Sequence, residues 1–217
     1  MEKEQIIGRT ISFVKEQLAG AEGGHDWWHV HRVYQLSKEI AAVEGGNLFV
    51  IELGALLHDV ADSKFHQGDE TKGPAMARDF LSSLSIGNSI ISQVIFIIEN
   101  ISYKGGYSSL LQKPLELQIV QDADRLDATG AIGIARTFNY GGYKNREMYN
   151  PSIPPDLNLT REAYKNSKAP TIDHFYEKLL KLKDLMNTQE GKRRAQQRHE
   201  FMELYLEQFY KEWNSEI

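Results

Sequence analysis

The stretch "LFVIELGALLHDVADSK", from Leu48 to Lys64, combines a long apolar run with a charged end. Its first ten residues are apolar on every side of a helix except at Glu52, which predicts a buried central helix beginning near a cap at Asn47. His58 and Asp59 lie in the last turn of that helix. Such side chains are costly to bury unless they are hydrogen-bonded, paired or bound to a metal. The stretch therefore predicts a helical core with a polar site at one end of its central helix.

Helical spacing of apolar residues extends along almost the whole chain, and no run alternates strictly as a half-buried strand does. We predict helices over roughly residues 7–18, 26–43, 47–57, 74–84, 88–98, 114–124, 134–138, 172–186 and 195–213. The β-branched run "SIISQVIFII" (Ser89–Ile98) would also suit a strand. The Gly- and Pro-rich segment 139–158 breaks regular structure and is typical of a lid or substrate-binding flap. The pattern predicts an all-α, single-domain protein of eight to ten helices.

The composition excludes several classes of function. The chain has 217 residues, 41% hydrophobic and 25% charged, which is enough for one sizeable core, and its net charge is −5. Nucleic-acid and acidic-membrane binders need a basic footprint, so we expect neither partner. The one basic cluster is interpreted as a solvated helix face; it comprises Lys192, Arg193, Arg194 and Arg198. No stretch is long and apolar enough to span a bilayer, and we expect a cytoplasmic protein.

Three predicted helices place acids or imidazoles on faces otherwise occupied by core residues. These are His29 on the second, His58 and Asp59 on the third, and Asp124 on the sixth. Because the chain has no cysteine, a metal would need His, Asp or Glu ligands, and this set suits a first-row divalent ion. Each residue also has an ordinary alternative. His29 could bond a backbone carbonyl, His58 could stabilise a helix C-terminus, and Asp124 could pair with Arg125.

Three pieces of sequence, in this order, resemble the HD-domain superfamily of metal-dependent phosphohydrolases. They are "HDWWHVHRV" (His25–Val33), "LLHDVADSK" (Leu56–Lys64) and "QDADRLDATGAIGIAR" (Gln121–Arg136). The resemblance is to small stand-alone bacterial nucleotide phosphohydrolases, and it implies an all-helical HD fold. The resemblance covers about residues 20–140. We predict one HD-type domain over residues 1–217, with this motif-bearing core at about 20–140 and a C-terminal helical pair at about 170–214.

The resemblance also implies the metal ligands, and the charge and position of other residues suggest further roles. His29, His58, Asp59 and Asp124 would be the metal ligands, while the neighbouring Asp122 and Asp127 rank lower. Lys64 and Arg32 would offset phosphate charge, and Asp62 would act as a general base or hold a second water. The expected substrate-binding residues are Arg125, Tyr140, Lys144 and Arg146, of which the last three lie in the predicted flap.

The expected activity is hydrolysis of a nucleotide, first of all pyrophosphohydrolysis of a (deoxy)nucleoside triphosphate, by metal-activated water. The cofactor would be one divalent ion, manganese before magnesium, cobalt, nickel, iron or zinc. A nucleoside monophosphate phosphatase and a non-catalytic nucleotide- or metal-sensing module are the alternatives. A di-iron oxygenase would need Asp62 and His66 as extra ligands. We expect a small-molecule nucleotide as partner, and a monomer or homodimer.

Overall fold

The computed structural model describes residues 1–20, 26–61, 71–101, 113–158 and 167–217. Over these ranges the chain forms nine α-helices and one 3₁₀ helix and contains no strand, so the all-α prediction is confirmed. The helices are α1 Lys3–Gln17, α2 Trp27–Glu44, α3 Leu48–Leu57, α4 Lys72–Ser83, α5 Asn88–Asn100, α6 Leu115–Asp127, α7 Gly130–Tyr143, α8 Asp173–Glu177, the 3₁₀ helix Leu179–Leu185 and α9 Gln189–Trp213.

The described residues up to Asp124 form one compact unit, called the first unit below, and those from Arg125 onward form the second unit. The assignment of all 217 residues to one HD-type domain therefore stays a prediction. None of the described helices is long and apolar enough to cross a membrane.

Helix α3 is the central element of the first unit, as its sequence predicts. It packs against α1, α2 and α5. All of its residues from Phe49 to Leu57 except Glu52 are buried. A glycine allows its close approach to α5, since a Cβ added at Gly54 would lie 2.9 Å from Ile97 Cδ1. The run Ser89–Ile98, which would also suit a strand, is helical in α5.

Helix α6 is fastened to its neighbours in the first unit by side chains that bond helix ends. Gln121 Nε2 donates to the Asn100 carbonyl at the end of α5 over 2.7 Å, and Lys113 Nζ donates to Gln121 Oε1 over 3.2 Å. The backbone N–H of Asn47, which precedes α3, donates to Glu116 Oε1 over 2.9 Å. These bonds fix α6, which carries Asp124, relative to α3 and α5.

In the second unit, the single helix predicted at 172–186 is not observed. It is divided into α8 and the 3₁₀ helix, because the backbone at Lys178 leaves the helical region (φ −139°, ψ −58°). Leu179, Leu182 and Leu185 are three residues apart, which places them on one side of a 3₁₀ helix with three residues per turn. Leu179 and Leu182 are buried.

Segment 144–158 is tied to the rest of the second unit. The backbone N–H groups of Thr171 and Ile172 donate to the carbonyls of Glu147 and Met148 over 2.9 and 3.0 Å. The ring of Tyr149 lies edge-on against three aromatic rings of α9, those of Phe209, Tyr210 and Trp213. Helix α7 continues to Tyr143, so the prediction that irregular structure begins near residue 139 is wrong by one helical turn.

Other predicted helix ends are displaced by one or two residues. Pro74 is the third residue of α4 and not its first. Asn88, whose side chain favours the cap position, is instead the first residue of α5, and Gly87 occupies the cap position. Asn47 caps α3 by position only, because its side chain makes no capping hydrogen bond. A cap residue can be recognised in sequence, but which of two adjacent residues takes the cap geometry depends on the packing of the helix.

The basic cluster on α9 is only partly the solvated face predicted for it. Lys192 and Arg193 are exposed, whereas Arg194 and Arg198 are half-buried. Arg198 Nη1 donates to the carbonyl of Leu126, and burial lowers the pKa of its guanidinium. The stem of Arg198 also packs against Gly130, where a Cβ would lie 3.0 Å from Arg198 Cγ.

Candidate metal centre

Two buried histidines from different helices of the first unit meet through their Nε2 atoms. His29 is the third residue of α2, and His58 directly follows the last residue of α3. Their Nε2 atoms lie 3.2 Å apart, with the rings close to perpendicular. Only 1% of His29 and 6% of His58 is exposed. The two imidazoles are thus the most deeply buried members of a polar cluster that lies within an apolar core.

Two carboxylates complete the cluster. Asp59 Oδ2 lies 3.4 Å from His29 Nε2 and 3.7 Å from His58 Nε2. Asp124 Oδ1 lies 3.5 Å from His29 Nε2 and 4.0 Å from His58 Nε2. Ligands about 2.0–2.2 Å from one ion lie roughly 3.0–3.5 Å from their neighbours around it. The distances to His29 Nε2 fall within or at the edge of this range, whereas those from His58 Nε2 to the two carboxylates are longer, so a shared ion requires small shifts at both Asp59 and Asp124.

The carboxylates form the more open side of this cluster. The side chain of Asp59 is 16% exposed and that of Asp124 is 32% exposed, against 1–2% for the two imidazoles. His29, His58 and Asp59 form the tightest group, with ligand atoms all within 4.8 Å of one another. Asp124 is therefore the most solvent-exposed of the four side chains.

The hydrogen bonding of His58 decides what its Nε2 can do. Its Nδ1 lies 2.8 Å from the carbonyl oxygen of Ala55, one turn earlier in α3. A carbonyl can only accept, so we assign the proton of the neutral ring to Nδ1. Nε2 then keeps its lone pair and points it into the cluster. This lone pair of His58 faces the His29 imidazole and two carboxylates, which suits a bound cation. A hydrogen bond from the other ring nitrogen to a backbone carbonyl is typical of histidines that bind metals.

The predicted catalytic residues are placed only in part. Arg32 is half-buried in α2, one turn after His29. Asp62 and Lys64 lie outside the described residues, as do His25 and His66. The roles proposed for the Asp62 carboxylate and the Lys64 ammonium group therefore stay predictions.

The predicted substrate-binding residues all belong to the second unit. Arg125 is half-buried and its Nη1 donates to the carbonyl of Leu185. Lys144 Nζ lies 5.6 Å from the ring centre of Tyr140 and 4.8 Å from that of Tyr143. Arg146 also faces the Tyr140 ring, at 5.7 Å, and its Nη2 donates to Ser167 O over 2.7 Å. The last three predicted residues thus form one cation–aromatic group.

Two supports of the cluster were not identified from the sequence, and one near miss among the aspartates is explained only by the structure. The Ala55 carbonyl that orients His58 is a main-chain group, and any residue at that position would supply it. The role of Gln121 in holding α6 depends on a partner 21 residues away. Asp127, ranked below Asp124 as a ligand, bonds Arg136 through Oδ2 at 2.5 Å in the second unit. Asp127 is therefore distinguished from Asp124 by its arginine partner, which the sequence does not display.

Comparisons with known proteins identify the family to which this chain is similar. A family model of the HD domain matches residues 27–129, a range that contains both histidines and both aspartates of the cluster. The YpgQ protein of Bacillus subtilis (strain 168) is 36% identical over 205 residues, which cover 93% of this chain and 90% of that protein.

Solved structures extend the similarity over nearly the full length. The crystal structure of an HD-superfamily hydrolase from Bacillus thuringiensis is 46% identical, with a TM-score of 0.79, covering 98% of this chain and 99% of that one. A crystal structure of Bacillus subtilis YpgQ in complex with ADP is 33% identical, with a TM-score of 0.74, covering 95% and 97% of the two chains.

Proposed function

This chain belongs to the HD-domain superfamily and is a metal-dependent phosphohydrolase, and from that premise we propose that its substrate is a nucleotide. The reaction proposed first is pyrophosphohydrolysis of a (deoxy)nucleoside triphosphate, which releases the nucleoside monophosphate and pyrophosphate. The nucleotide is supported by the ADP bound in the crystal structure of YpgQ. The observation that carries the metal-dependent chemistry is the convergence of two imidazole nitrogens and two carboxylate oxygens in the first unit.

His29, His58, Asp59 and Asp124 would hold one divalent ion, and manganese is the ion we propose. Two nitrogen and two oxygen donors suit manganese, iron, cobalt, nickel and zinc better than an ion that prefers oxygen alone. A bound ion of this kind supplies a nucleophilic water at neutral pH and polarises a phosphoryl oxygen. The greater exposure of Asp124 supports entry of the phosphate from that side.

We propose that side chains of this chain transfer the proton, stabilise the phosphoryl charge and bind the nucleotide. Asp62 is proposed to accept a proton from the attacking water, and Lys64 and Arg32 to offset negative charge that develops on the phosphoryl oxygens. Arg125, Tyr140, Lys144 and Arg146 are proposed to bind the nucleotide. The cation–aromatic group supports this role in part, because it combines rings on which a base can stack with positive charges for phosphates.

The test is a panel of nucleoside tri-, di- and monophosphates incubated with the purified protein and Mn²⁺, with both products identified. We expect a monophosphate and pyrophosphate in equal amounts from a triphosphate. Release of inorganic phosphate from monophosphates alone would replace this proposal with the phosphatase alternative. Nucleotide binding without any turnover, at saturating Mn²⁺, would contradict catalysis and favour a sensing module.

A further inference from the structure

His29 lies in the first turn of α2, where backbone N–H groups have no hydrogen-bond partner within the helix. It is the third residue of α2. The N–H of His29 is bonded instead by the side chain of Asp26, whose Oδ1 accepts it over 2.9 Å. Asp26 has extended backbone geometry (φ −86°, ψ 177°) and is the N-cap of the helix. The first turn of α2 contains no acidic residue of its own.

We infer that Asp26 is a positioning residue for the metal centre, which it serves by capping the turn that carries His29. This inference rests on the proposed function, since it assumes that His29 is a metal ligand. A histidine has two side-chain torsions, so displacement of its backbone is transmitted to Nε2. Nε2 lies 3.2 Å from its counterpart on His58, and fraying of one helical turn would change that distance.

Loss of the cap would affect the first turn much more than the rest of the helix. Val30 and Val33, which follow His29 in α2, are fully buried, and Ile40 is too. Their burial keeps the body of α2 packed when the cap is removed. We therefore expect variants of Asp26 to fold, with a change concentrated at the ligand.

Asp26 acts through the backbone and not as a ligand. Within the described part of the chain, the group of side chains that could hold an ion is His29, His58 and Asp59, with Asp124 beside it, and Asp26 is outside it. The capping bond needs a short side chain with an acceptor oxygen, which aspartate and asparagine both have. It does not need a negative charge, and this separates capping from an electrostatic effect.

The experiment compares Asp26→Ala, Asp26→Glu and Asp26→Asn by equilibrium titration with Mn²⁺ alone and by thermal unfolding without metal. Alanine removes the acceptor, and glutamate keeps the charge but lengthens the side chain past the capping position. Substitution of groups that orient a ligand weakens metal affinity by about 10- to 100-fold. We expect a loss of about tenfold for alanine and glutamate, and asparagine to retain affinity to within about threefold.

Thr188→Ala is the matched control. Thr188 Oγ1 caps α9 by accepting the N–H of Gly191 over 3.0 Å, and α9 carries none of the four predicted ligands. This variant should lower the melting temperature as Asp26→Ala does, while Mn²⁺ affinity stays that of the wild type. The control separates loss of a helix cap from loss of the cap next to a ligand.

Equal Mn²⁺ affinity in Asp26→Ala and Thr188→Ala would overturn the inference, and so would an affinity loss in Asp26→Asn as large as in Asp26→Ala. If Asp26→Ala does not fold, the difference between Asp26→Glu and Asp26→Asn decides the same question. Failure of the proposed metal site gives a different result, namely a His58→Ala variant that still binds Mn²⁺ like the wild type.

Discussion

Two groups of ionisable side chains, one in each unit of the chain, are arranged differently. In the second unit, acids and cations are paired: Glu190 accepts hydrogen bonds from Arg193 and Arg194 at 2.7 Å, and Asp127 pairs with Arg136. In the first unit, the cluster of His29, His58, Asp59 and Asp124 instead brings imidazole nitrogens and carboxylate oxygens from three helical segments to one place.

This difference indicates which buried polar residues are structural and which are functional. A buried acid that meets an arginine is neutralised by the fold itself. Imidazole nitrogens and carboxylate oxygens that converge on one point are instead the donor set of a divalent metal site. Residue type alone does not separate the two cases, because both units contain buried aspartate or glutamate and histidine.

The largest effect is expected from breaking the cluster of the first unit. His58→Ala should weaken Mn²⁺ binding by more than about 100-fold and abolish nucleotide hydrolysis, because a ligand and its orienting bond to Ala55 are lost together. The fold should survive, since α3 packs through apolar residues. Metal content by elemental analysis, circular dichroism and turnover of a nucleoside triphosphate measure these three properties.

His31→Ala is the control for that prediction. His31 lies on the same helix as His29 and packs against the rings of Trp27 and Trp28, outside the cluster. It should retain metal content and activity. Full metal content in His58→Ala would show that the ligands are assigned wrongly.

A smaller effect, on stability alone, is expected from breaking a pair in the second unit. Hydrogen bonds from Arg193 and then Arg194 lower the pKa of Glu190 to about 2. Because the folded-state pKa lies below the unfolded value of about 4.5, the pair stabilises the protein above pH 4.5, and this is lost as the pH falls towards 2. Glu190→Gln should therefore cost about 1–2 kcal/mol at pH 7 and almost nothing near pH 2.

Urea unfolding of wild type and Glu190→Gln at several pH values measures that difference. Mn²⁺ affinity of the variant should equal that of the wild type, because the pair belongs to the second unit. A pH-independent stability difference would contradict the assigned role of the two arginines.

The smallest effect concerns Asp173, a buried carboxyl of the second unit. It lies outside both the Glu190 pair and the cluster of His29, His58, Asp59 and Asp124. Asp173 is 1% exposed and its Oδ2 has no hydrogen-bond partner. Burial, with a smaller contribution from Glu177, raises its pKa to about 6 from 3.8. The folded protein then binds more protons than the unfolded chain between pH 4 and 6, so this group lowers stability as the pH rises through that window.

Asp173→Asn removes this ionisation and should gain about 1 kcal/mol relative to wild type at pH 7, and little at pH 4. The gain is limited because the amide is also left with an unsatisfied polar atom. Thermal unfolding of both proteins across this range tests the prediction. A variant that loses stability equally at both pH values would show that Asp173 is held by a bond that the amide cannot replace.

Much of the fold could be predicted from periodicity because most of the helices bury one regular apolar face. The central position of α3 followed from its uniform apolar character, and the four cluster residues were recognisable as polar groups on apolar faces. Division of the helix at 172–186 was not predictable, since apolar spacings of three and four fit an α-helix equally well. The sequence could not show that Arg125 donates a hydrogen bond to the Leu185 carbonyl, because the two residues are 60 positions apart and meet only in the folded chain.

The contact of Gly54 with Ile97 couples the packing of α3 on α5 to the position of a predicted ligand. A Cβ at position 54 would lie 2.9 Å from Ile97 Cδ1, so any larger residue there displaces the Ile97 side chain or α3 itself. His58 follows α3 four residues after Gly54. The smallest side chain in the helix is therefore the one on which the placing of His58 against α5 depends.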